Sequence, residues 1–169
     1  MSLSKYCLFM LLLLSAAGLQ AQEIKWMTWD EAAAANAKNP KKIFVDVYTE
    51  WCGWCKKMDQ TTFKDSAVVA AMNKDFYAIH LDAEQKETIH WKGYDFNWVA
   101  GGRGGTHELA SIILDGQMSF PTFVMLDSEY KTIAISPGYK LGDALMKELK
   151  YASSELYKTM DWNTYLSRS

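Results

Sequence analysis

Residues 45–56 read VDVYTEWCGWCK, and this stretch and its neighbours indicate the fold of the chain most clearly. The run Ile43 to Tyr48 is apolar except for Asp46, and its length and β-branched content predict a buried strand. The following segment, Lys56 to Gln60, is compatible with a helix. The two cysteines therefore lie where a strand passes into a helix, and α/β folds present their functional sites at this edge of the sheet.

The Cys-x-x-Cys spacing at the start of a helix has a chemical consequence. Unpaired backbone N–H groups and the positive end of the helix dipole favour the thiolate of Cys52, and the thiolate is the nucleophilic form of cysteine. Cys55 follows three residues later on the same face, within reach to resolve a mixed disulfide. The sequence therefore predicts a redox pair with the Cys52 sulfur exposed at the tip of its helix.

The composition is that of an ordinary globular domain. The chain has 169 residues, of which 49% are hydrophobic and 22% are charged, and its formal net charge is −2. These values argue against a long disordered chain, which needs few apolar residues and a large net charge. They also provide no basic surface for nucleic acid, so we expect no nucleic-acid partner.

Residues 1–21 have the features of a signal peptide. Lys5 supplies a positive charge, an apolar stretch runs from Leu8 to Leu14, and a small residue, Ala21, suits a cleavage position. The alternative is an uncleaved membrane anchor, but the apolar stretch is only about half of the ~20 residues that a spanning helix needs. We therefore expect an exported protein with one mature domain, residues 22–169.

Removal of residues 1–21 would leave Cys52 and Cys55 as the only cysteines. A disulfide across so short a loop constrains the unfolded chain very little, which argues against a purely structural role. A zinc site needs two further ligands, and the three histidines of the chain offer no second paired spacing. The spacing therefore favours redox chemistry.

The rest of the chain alternates predicted helices and strands. Helices are predicted at residues 32–38, at 67–73 with Ser66 as cap, at 106–114 with Thr106 as cap, and along an apolar stripe from Leu141 to Leu156. Strands are predicted at residues 76–81, 120–126 and 131–135. This order indicates an α/β domain with a central mixed sheet.

Residues 83–105 interrupt the pattern. Polar and aromatic residues alternate in this segment, and it ends in a glycine cluster around Arg103. This composition predicts an ordered insertion with a flexible hinge. Four large aromatic side chains in this segment suit either a substrate-gripping surface or an auxiliary core, and they are Trp91, Tyr94, Phe96 and Trp98. The sequence does not decide between the two.

The run VDVYTEWCGWCK resembles the active-site strand and helix of the thioredoxin superfamily. Phe120-Pro121-Thr122, followed by an apolar strand, resembles the cis-proline loop of that family. The resemblance covers residues 24 to 158 apart from the insertion, and together with residues 1–21 it is most similar to exported thioredoxin-like proteins of bacteria. It implies a thioredoxin fold, a central mixed sheet flanked by helices, with the insertion placed between the third strand region and the cis-proline loop.

The resemblance also implies roles for individual residues. Cys52 would be the attacking thiolate, Cys55 the resolving thiol, and Asp46 a buried carboxylate that takes or returns the proton of Cys55, with a pKa raised by burial. The residues expected to bind substrate are Trp51, Gly53, Trp54, Phe120 and Pro121. No metal is implied, and no cofactor beyond the disulfide of the cysteine pair.

Two positions depart from the family pattern. Trp54 stands where thioredoxin has proline, so it keeps a backbone N–H that we expect to point towards the Cys52 sulfur and to make the disulfide more oxidising. The strand lysine that often accompanies the buried carboxylate is absent, and Ala78 lies near its place.

The sequence thus predicts an exported thiol–disulfide oxidoreductase of a bacterial periplasm that acts on protein substrates, with the reductase direction favoured. Such a reductase needs electrons from a membrane-embedded thiol donor. Two alternatives stay open. In one, the two cysteines and a histidine bind copper(I), since soft thiolates suit that ion. In the other, residues 83–105 grip a partner and the domain is a binding module.

Overall fold

The computed structural model describes residues 23–101 and 104–168. The predicted signal peptide, residues 1–21, lies outside the described residues. In chain order the strands are β1 (Trp26–Met27), β2 (Lys42–Tyr48), β3 (Phe76–Asp82), β4 (Ile89–Trp91), β5 (Tyr94–Phe96), β6 (Trp98–Gly101), β7 (Gly104–His107), β8 (Thr122–Leu126) and β9 (Thr132–Pro137). The α-helices are α1 (Trp29–Lys38), α2 (Gly53–Gln60), α3 (Ser66–Asp75), α4 (Glu108–Ile113), α5 (Gly142–Ser153) and α6 (Trp162–Arg168).

Five of these strands form one mixed sheet in the order β1-β3-β2-β8-β9. β1, β3 and β2 run parallel, whereas β8 is antiparallel to β2, and β9 is antiparallel to β8. Strand β2 lies in the middle and is buried along its interior, as a strand covered on both faces must be. The predicted mixed sheet flanked by helices is confirmed.

Successive residues of β2 face two different hydrophobic clusters. Phe44 packs in a cluster that includes Met58 of α2, whereas Val45 packs in the cluster that includes Leu109 of α4. Because side chains alternate along a strand, Asp46 faces the same side as Phe44. The sheet therefore presents a carboxylate towards the helix that follows the cysteine pair.

Two helix starts differ from the predicted positions by one residue. The cap of α3 is Asp65, whose carboxylate accepts backbone N–H bonds from the first turn, so Ser66 is the first helical residue and not the cap. Helix α4 is capped by His107, whose ring accepts the Leu109 N–H, and not by Thr106. In both cases the neighbouring side chain is the better placed acceptor for the unpaired N–H groups of the helix.

The insertion consists of two β-hairpins, β4–β5 and β6–β7. In the first hairpin the Trp91 ring centroid lies 5.1 Å from that of Trp29 and 4.9 Å from that of Tyr130, and Phe96 packs on Trp91 at 6.1 Å. Trp91 and Phe96 therefore extend the hydrophobic core over α1. Tyr94 points outward and is 71% exposed.

The described glycines of the predicted flexible hinge belong to regular strands. Gly101 pairs with Gly104, and Ala100 pairs with Gly105, across the β6–β7 ladder. At Gly105 an added Cβ would overlap the ring of Trp98, so the missing side chain lets that ring lie across the hairpin. The hinge prediction was wrong for these residues because they pair in a regular ladder, and at Gly105 the missing side chain also permits close packing against an aromatic ring.

Among the described residues, no helix has both the length and the apolar character that crossing a membrane requires.

Candidate active site

The cysteine pair lies at the point where β2 gives way to α2. Cys52 is the N-cap residue of α2, and Cys55 lies in its first turn. The two residues form a disulfide with their Cα atoms 5.3 Å apart. Because the first N–H groups of a helix have no partner within the helix, Cys52 Sγ sits at the positive end of the α2 dipole.

The hydrogen bond that the structure gives to Cys52 Sγ comes from the Cys55 backbone N–H, at 3.1 Å. We predicted that the Trp54 N–H would point to this sulfur, but the donor lies one residue further along the helix. A residue at the N-cap position bonds the N–H of the second or third helical residue, and Cys55 is the third.

Both cysteines are buried in the disulfide form. Cys52 is 4% exposed and Cys55 is 3% exposed. The predicted exposure of the Cys52 sulfur was therefore wrong for this state, because the N-cap side chain folds back over the first turn. Two large hydrophobic side chains beside the pair are exposed, Trp51 at 66% and Trp54 at 62%.

The loop before β8 lies beside the active-site loop. The Phe120–Pro121 peptide bond is cis, and the Pro121 carbonyl accepts the Gly138 N–H at 2.8 Å. The ring of Phe120 meets that of Trp51 edge to face, with centroids 5.8 Å apart. Trp51 and Gly53 flank Cys52 in the chain, and the contact between Trp51 and Phe120 brings the Phe120-Pro121 loop to the same side of the active-site segment.

The fifth, Trp54, extends the same surface in another direction. Its ring packs against that of Tyr139, with centroids 5.2 Å apart. Gly53 opens helix α2, and an added Cβ there would meet nothing within 4 Å. The surface around the disulfide is thus open at Gly53 and bordered by aromatic rings.

Asp46 is buried and paired with a histidine that we did not predict as its partner. The parallel register of β2 and β3 sets His80 opposite Asp46, and His80 Nε2 lies 3.4 Å from Asp46 Oδ2. We expected Ala78 near this place, but Ala78 is opposite Phe44, two residues earlier in the register. Burial raises the pKa of Asp46, and the hydrogen bond and charge of His80 oppose that rise.

The His80 ring is held in place by aromatic neighbours. It stacks on the ring of Tyr48 with centroids 3.8 Å apart, and the Trp26 ring lies 5.0 Å away. His80 is partly exposed, with 26% of its side chain accessible, whereas the Asp46 side chain is 1% accessible. The histidine therefore connects the buried carboxylate to the surface.

Asp59 of α2 completes this cluster. One ligand-type atom from each of Asp46, Asp59 and His80 lies within 4.8 Å of the others. Asp59 follows Cys55 by four residues, so both lie on the same face of α2. Asp46 therefore lies beneath the face of the helix that carries Cys55.

This cluster also bears on the copper alternative. Within residues 23–101 and 104–168, it is the one group of three or more histidine, cysteine or carboxylate side chains with atoms close enough to share a metal ion, and neither cysteine belongs to it. His90 pairs with Asp95 at 2.6 Å, and His107 is buried against the Glu87 carbonyl at 3.1 Å. Among the described residues, no histidine forms such a group with the two cysteines.

A family model matches residues 14–139, and its description is Thioredox_DsbH, protein of unknown function, DUF255. The chain belongs to this family. It carries the Cys-x-x-Cys pair in disulfide form.

Curated relatives share this region at low identity. The uncharacterized protein B0495.5 of Caenorhabditis elegans is 28% identical over 126 residues, covering 64% of this chain and 17% of its own length. The thiol:disulfide interchange protein DsbD of Pseudoalteromonas atlantica is 46% identical over 41 residues, covering 24% of this chain and 7% of its own length. The chain spans less than a fifth of the length of each of these relatives.

Solved structures share the fold. A DsbH oxidoreductase superposes with a TM-score of 0.56 at 20% identity, over 84% of this chain and 96% of that protein. A thioredoxin-fold protein from Helicobacter pylori superposes with a TM-score of 0.59 at 18% identity, over 91% of each chain. At these identities the structures establish the thioredoxin fold of this chain.

Proposed function

We propose that this protein is an exported thiol–disulfide oxidoreductase that reduces disulfides in protein substrates. The observation that carries the proposal is the Cys52–Cys55 disulfide at the start of α2, flanked by the Phe120–Pro121 loop. The similarity of part of the chain to the thiol:disulfide interchange protein DsbD of Pseudoalteromonas atlantica supports the same chemistry.

In the proposed reaction the reduced pair acts first through Cys52. Its thiolate, stabilised by the N-terminal end of α2, attacks one sulfur of a substrate disulfide. A Cys52–substrate disulfide forms, the substrate disulfide breaks, and the second substrate sulfur leaves as a thiolate that takes a proton from solvent.

The second half of the reaction proceeds through Cys55. Its thiol gives its proton to the carboxylate of Asp46, and the resulting thiolate attacks Cys52 Sγ. The Cys52–Cys55 disulfide forms, and the remaining substrate sulfur leaves as a thiolate, so two electrons pass from the pair to the substrate. Burial raises the pKa of Asp46, which makes its carboxylate a better proton acceptor than an ordinary aspartate.

His80 acts in this scheme as a positioning residue. Its Nε2 pairs with Asp46 Oδ2, and its partly exposed ring offers a path by which the proton of Asp46 reaches solvent.

The proposed direction, partner and compartment complete the account. The similarity of the motif to thioredoxin favours reduction, and the oxidised pair is then regenerated by a membrane-embedded thiol donor. The pair itself carries the electrons, so no further cofactor takes part.

The charged and apolar pattern of residues 1–21 supports export to a bacterial periplasm. Cell fractionation with N-terminal sequencing tests this, and we expect the mature protein to begin at Gln22.

Trapping of mixed disulfides tests the function. A Cys55→Ala variant retains the attacking sulfur and lacks the resolving one, so we expect it to accumulate disulfide-linked adducts with partner proteins. The Cys52→Ala variant is the matched control and should form none. Reduction-sensitive adducts seen only with Cys55→Ala support the proposal. Equal adducts with both variants, or full cellular function with Cys52→Ala, would favour the binding-module alternative.

A further inference from the structure

A groove runs along the surface next to the cysteine pair. Its volume is about 710 Å³, and it lies between Trp51 of the active-site loop and the β6–β7 hairpin of the insertion. Trp51 directly precedes Cys52, so one wall of the groove is continuous with the redox site. None of the sequence patterns predicted this groove, because its two walls are separated by more than forty residues of chain.

The groove is held in shape by contacts at both walls. Trp51 Nε1 donates a hydrogen bond to Glu84 Oε1 at 3.0 Å, which fixes the orientation of the indole ring. Glu108 Oε2 accepts the Asn97 N–H at 2.7 Å, which ties the base of the hairpin to α4.

The hairpin wall suits an extended polypeptide. β6 and β7 pair only with each other among the described strands, so each has an edge that no other described strand occupies. The lining residues of this wall are small, since Ala100, Gly101, Gly104 and Gly105 contribute to it, and Val99 is 51% exposed. Such an edge can pair with an added strand through its backbone N–H and C=O groups.

The charge of the groove is acidic. Glu84 and Glu108 line it, and no lysine or arginine is among its described lining residues. Two further carboxylates, those of Glu50 and Asp82, lie close to Glu84. Burial raises the pKa of Asp82, and the negative charges of Glu50 and Glu84 raise it further. A peptide with basic side chains complements this charge.

We propose that this groove seats an extended segment of the protein substrate, with an apolar side chain against Trp51 and Val99 and a lysine or arginine facing Glu84 and Glu108. This inference rests on the proposed thiol–disulfide exchange, and it names the substrate chemistry that the insertion selects. The groove binds the substrate segment, whereas the cysteines exchange the disulfide bond.

The test compares two synthetic peptides of equal length, each closed by one disulfide and carrying the same leucine. One has lysines beside its cysteines and the other has glutamates. With dithiothreitol as the electron source, we expect the wild-type protein to show kcat/KM about 10-fold higher for the lysine peptide, a factor that corresponds to about 1.4 kcal/mol. A Glu84→Gln/Glu108→Gln variant should narrow the preference to less than about 3-fold by raising KM for the lysine peptide.

The glutamine side chains keep an oxygen that can accept the Trp51 and Asn97 N–H bonds, so they remove charge without removing those contacts. The control is Glu23→Gln/Glu129→Gln, which changes the net charge equally at two exposed sites outside the groove and should keep the 10-fold preference. Equal kcat/KM for both peptides with wild-type protein, or an unchanged preference in the groove variant, would overturn the inference while leaving the exchange activity in place. Failure of the wild-type protein to reduce either peptide or a small aromatic disulfide would overturn the proposed function, and the inference with it.

Discussion

His80 Nε2 lies 3.4 Å from Asp46 Oδ2, and this pair links the carboxylate beneath α2 to the protein surface. The two residues face each other because β2 and β3 are parallel neighbours in register. Three further groups bear on the pair: Asp59 from α2, Asp82 from the same strand as His80, and the stacked ring of Tyr48. A buried carboxylate with a partly exposed partner suits the proposed proton exchange between Cys55 and solvent.

Replacement of His80 should slow the resolving step. We expect His80→Gln to lower the rate of mixed-disulfide resolution by about 10-fold at pH 7, less than the ~10²–10⁴-fold that a general base itself contributes. His80→Lys, which places another proton-donating side chain beside Asp46, should recover most of the rate. Stopped-flow measurement of resolution between pH 5 and 9 provides the readout, because a purely structural role would leave the shape of the pH profile unchanged.

The exposed His90 provides the matched control for that series. It lies in β4 and pairs with Asp95, away from the cysteine pair. His90→Gln should retain the wild-type rate and pH profile. If His80→Gln shows the same profile as His90→Gln, His80 has no part in proton exchange.

Burial of Asp46 should make the protein less stable as pH rises. The pKa of Asp46 is raised above its ordinary value of 3.8, chiefly by burial, so the native state binds more protons than the unfolded state above that value. The free energy of unfolding therefore falls as pH increases from about 4 through the raised pKa, and then becomes constant with respect to this group. Asp46→Asn removes the charge and should raise the free energy of unfolding at pH 7 by about 1–3 kcal/mol.

Urea denaturation of both proteins at pH 4 to 8 measures this effect. Burial also raises the pKa of Asp82 and of Glu148, so the wild-type slope contains their contributions as well. The difference between wild type and Asp46→Asn isolates Asp46. Parallel stability curves for the two proteins would show that this carboxylate is not destabilised in the fold.

The two glycines of β7 should respond differently to an added methyl group. At Gly105 an added Cβ would overlap the Trp98 ring and lie 2.7 Å from the Val99 carbonyl oxygen, whereas at Gly104 it would meet nothing within 4 Å. We expect Gly105→Ala to destabilise the hairpin by about 1–3 kcal/mol through overpacking. Gly104→Ala should have a much smaller effect. Amide hydrogen exchange in β6 and β7 checks both, and equal protection in the two variants would contradict the packing of Trp98 described above.

The sequence allowed the redox site and the central sheet to be predicted because both depend on local patterns. The apolar run of β2, the spacing of Cys52 and Cys55, and the loop at Pro121 each lie within a few residues of chain. The pairing of Asp46 with His80 depends on the register of two strands more than thirty residues apart, so neither residue alone reveals it. The two predicted strands, residues 43–48 and 76–81, are offset by 33 residues, which would set Ile79 opposite Asp46, whereas the observed register has an offset of 34 and sets His80 there.

The insertion was the least predictable part for the same reason. Its glycine cluster predicts a hinge, since glycine-rich runs are usually flexible, but the described glycines pair in a ladder. The role of Gly105 depends on where the Trp98 ring lies, and this is a tertiary contact that no local pattern shows. The burial of the Cys52 sulfur was likewise missed, because it depends on how the N-cap side chain folds over α2.

The most direct test of the redox account is the alkylation of the fully reduced protein at graded pH, with each cysteine followed by mass spectrometry. The account predicts that Cys52 reacts first, with a midpoint well below the value of about 8.5 for an ordinary cysteine, and that Cys55 reacts much more slowly. A Cys52 that stays unmodified at pH 7, or a Cys55 that is modified before it, would contradict the assignment of Cys52 as the nucleophile.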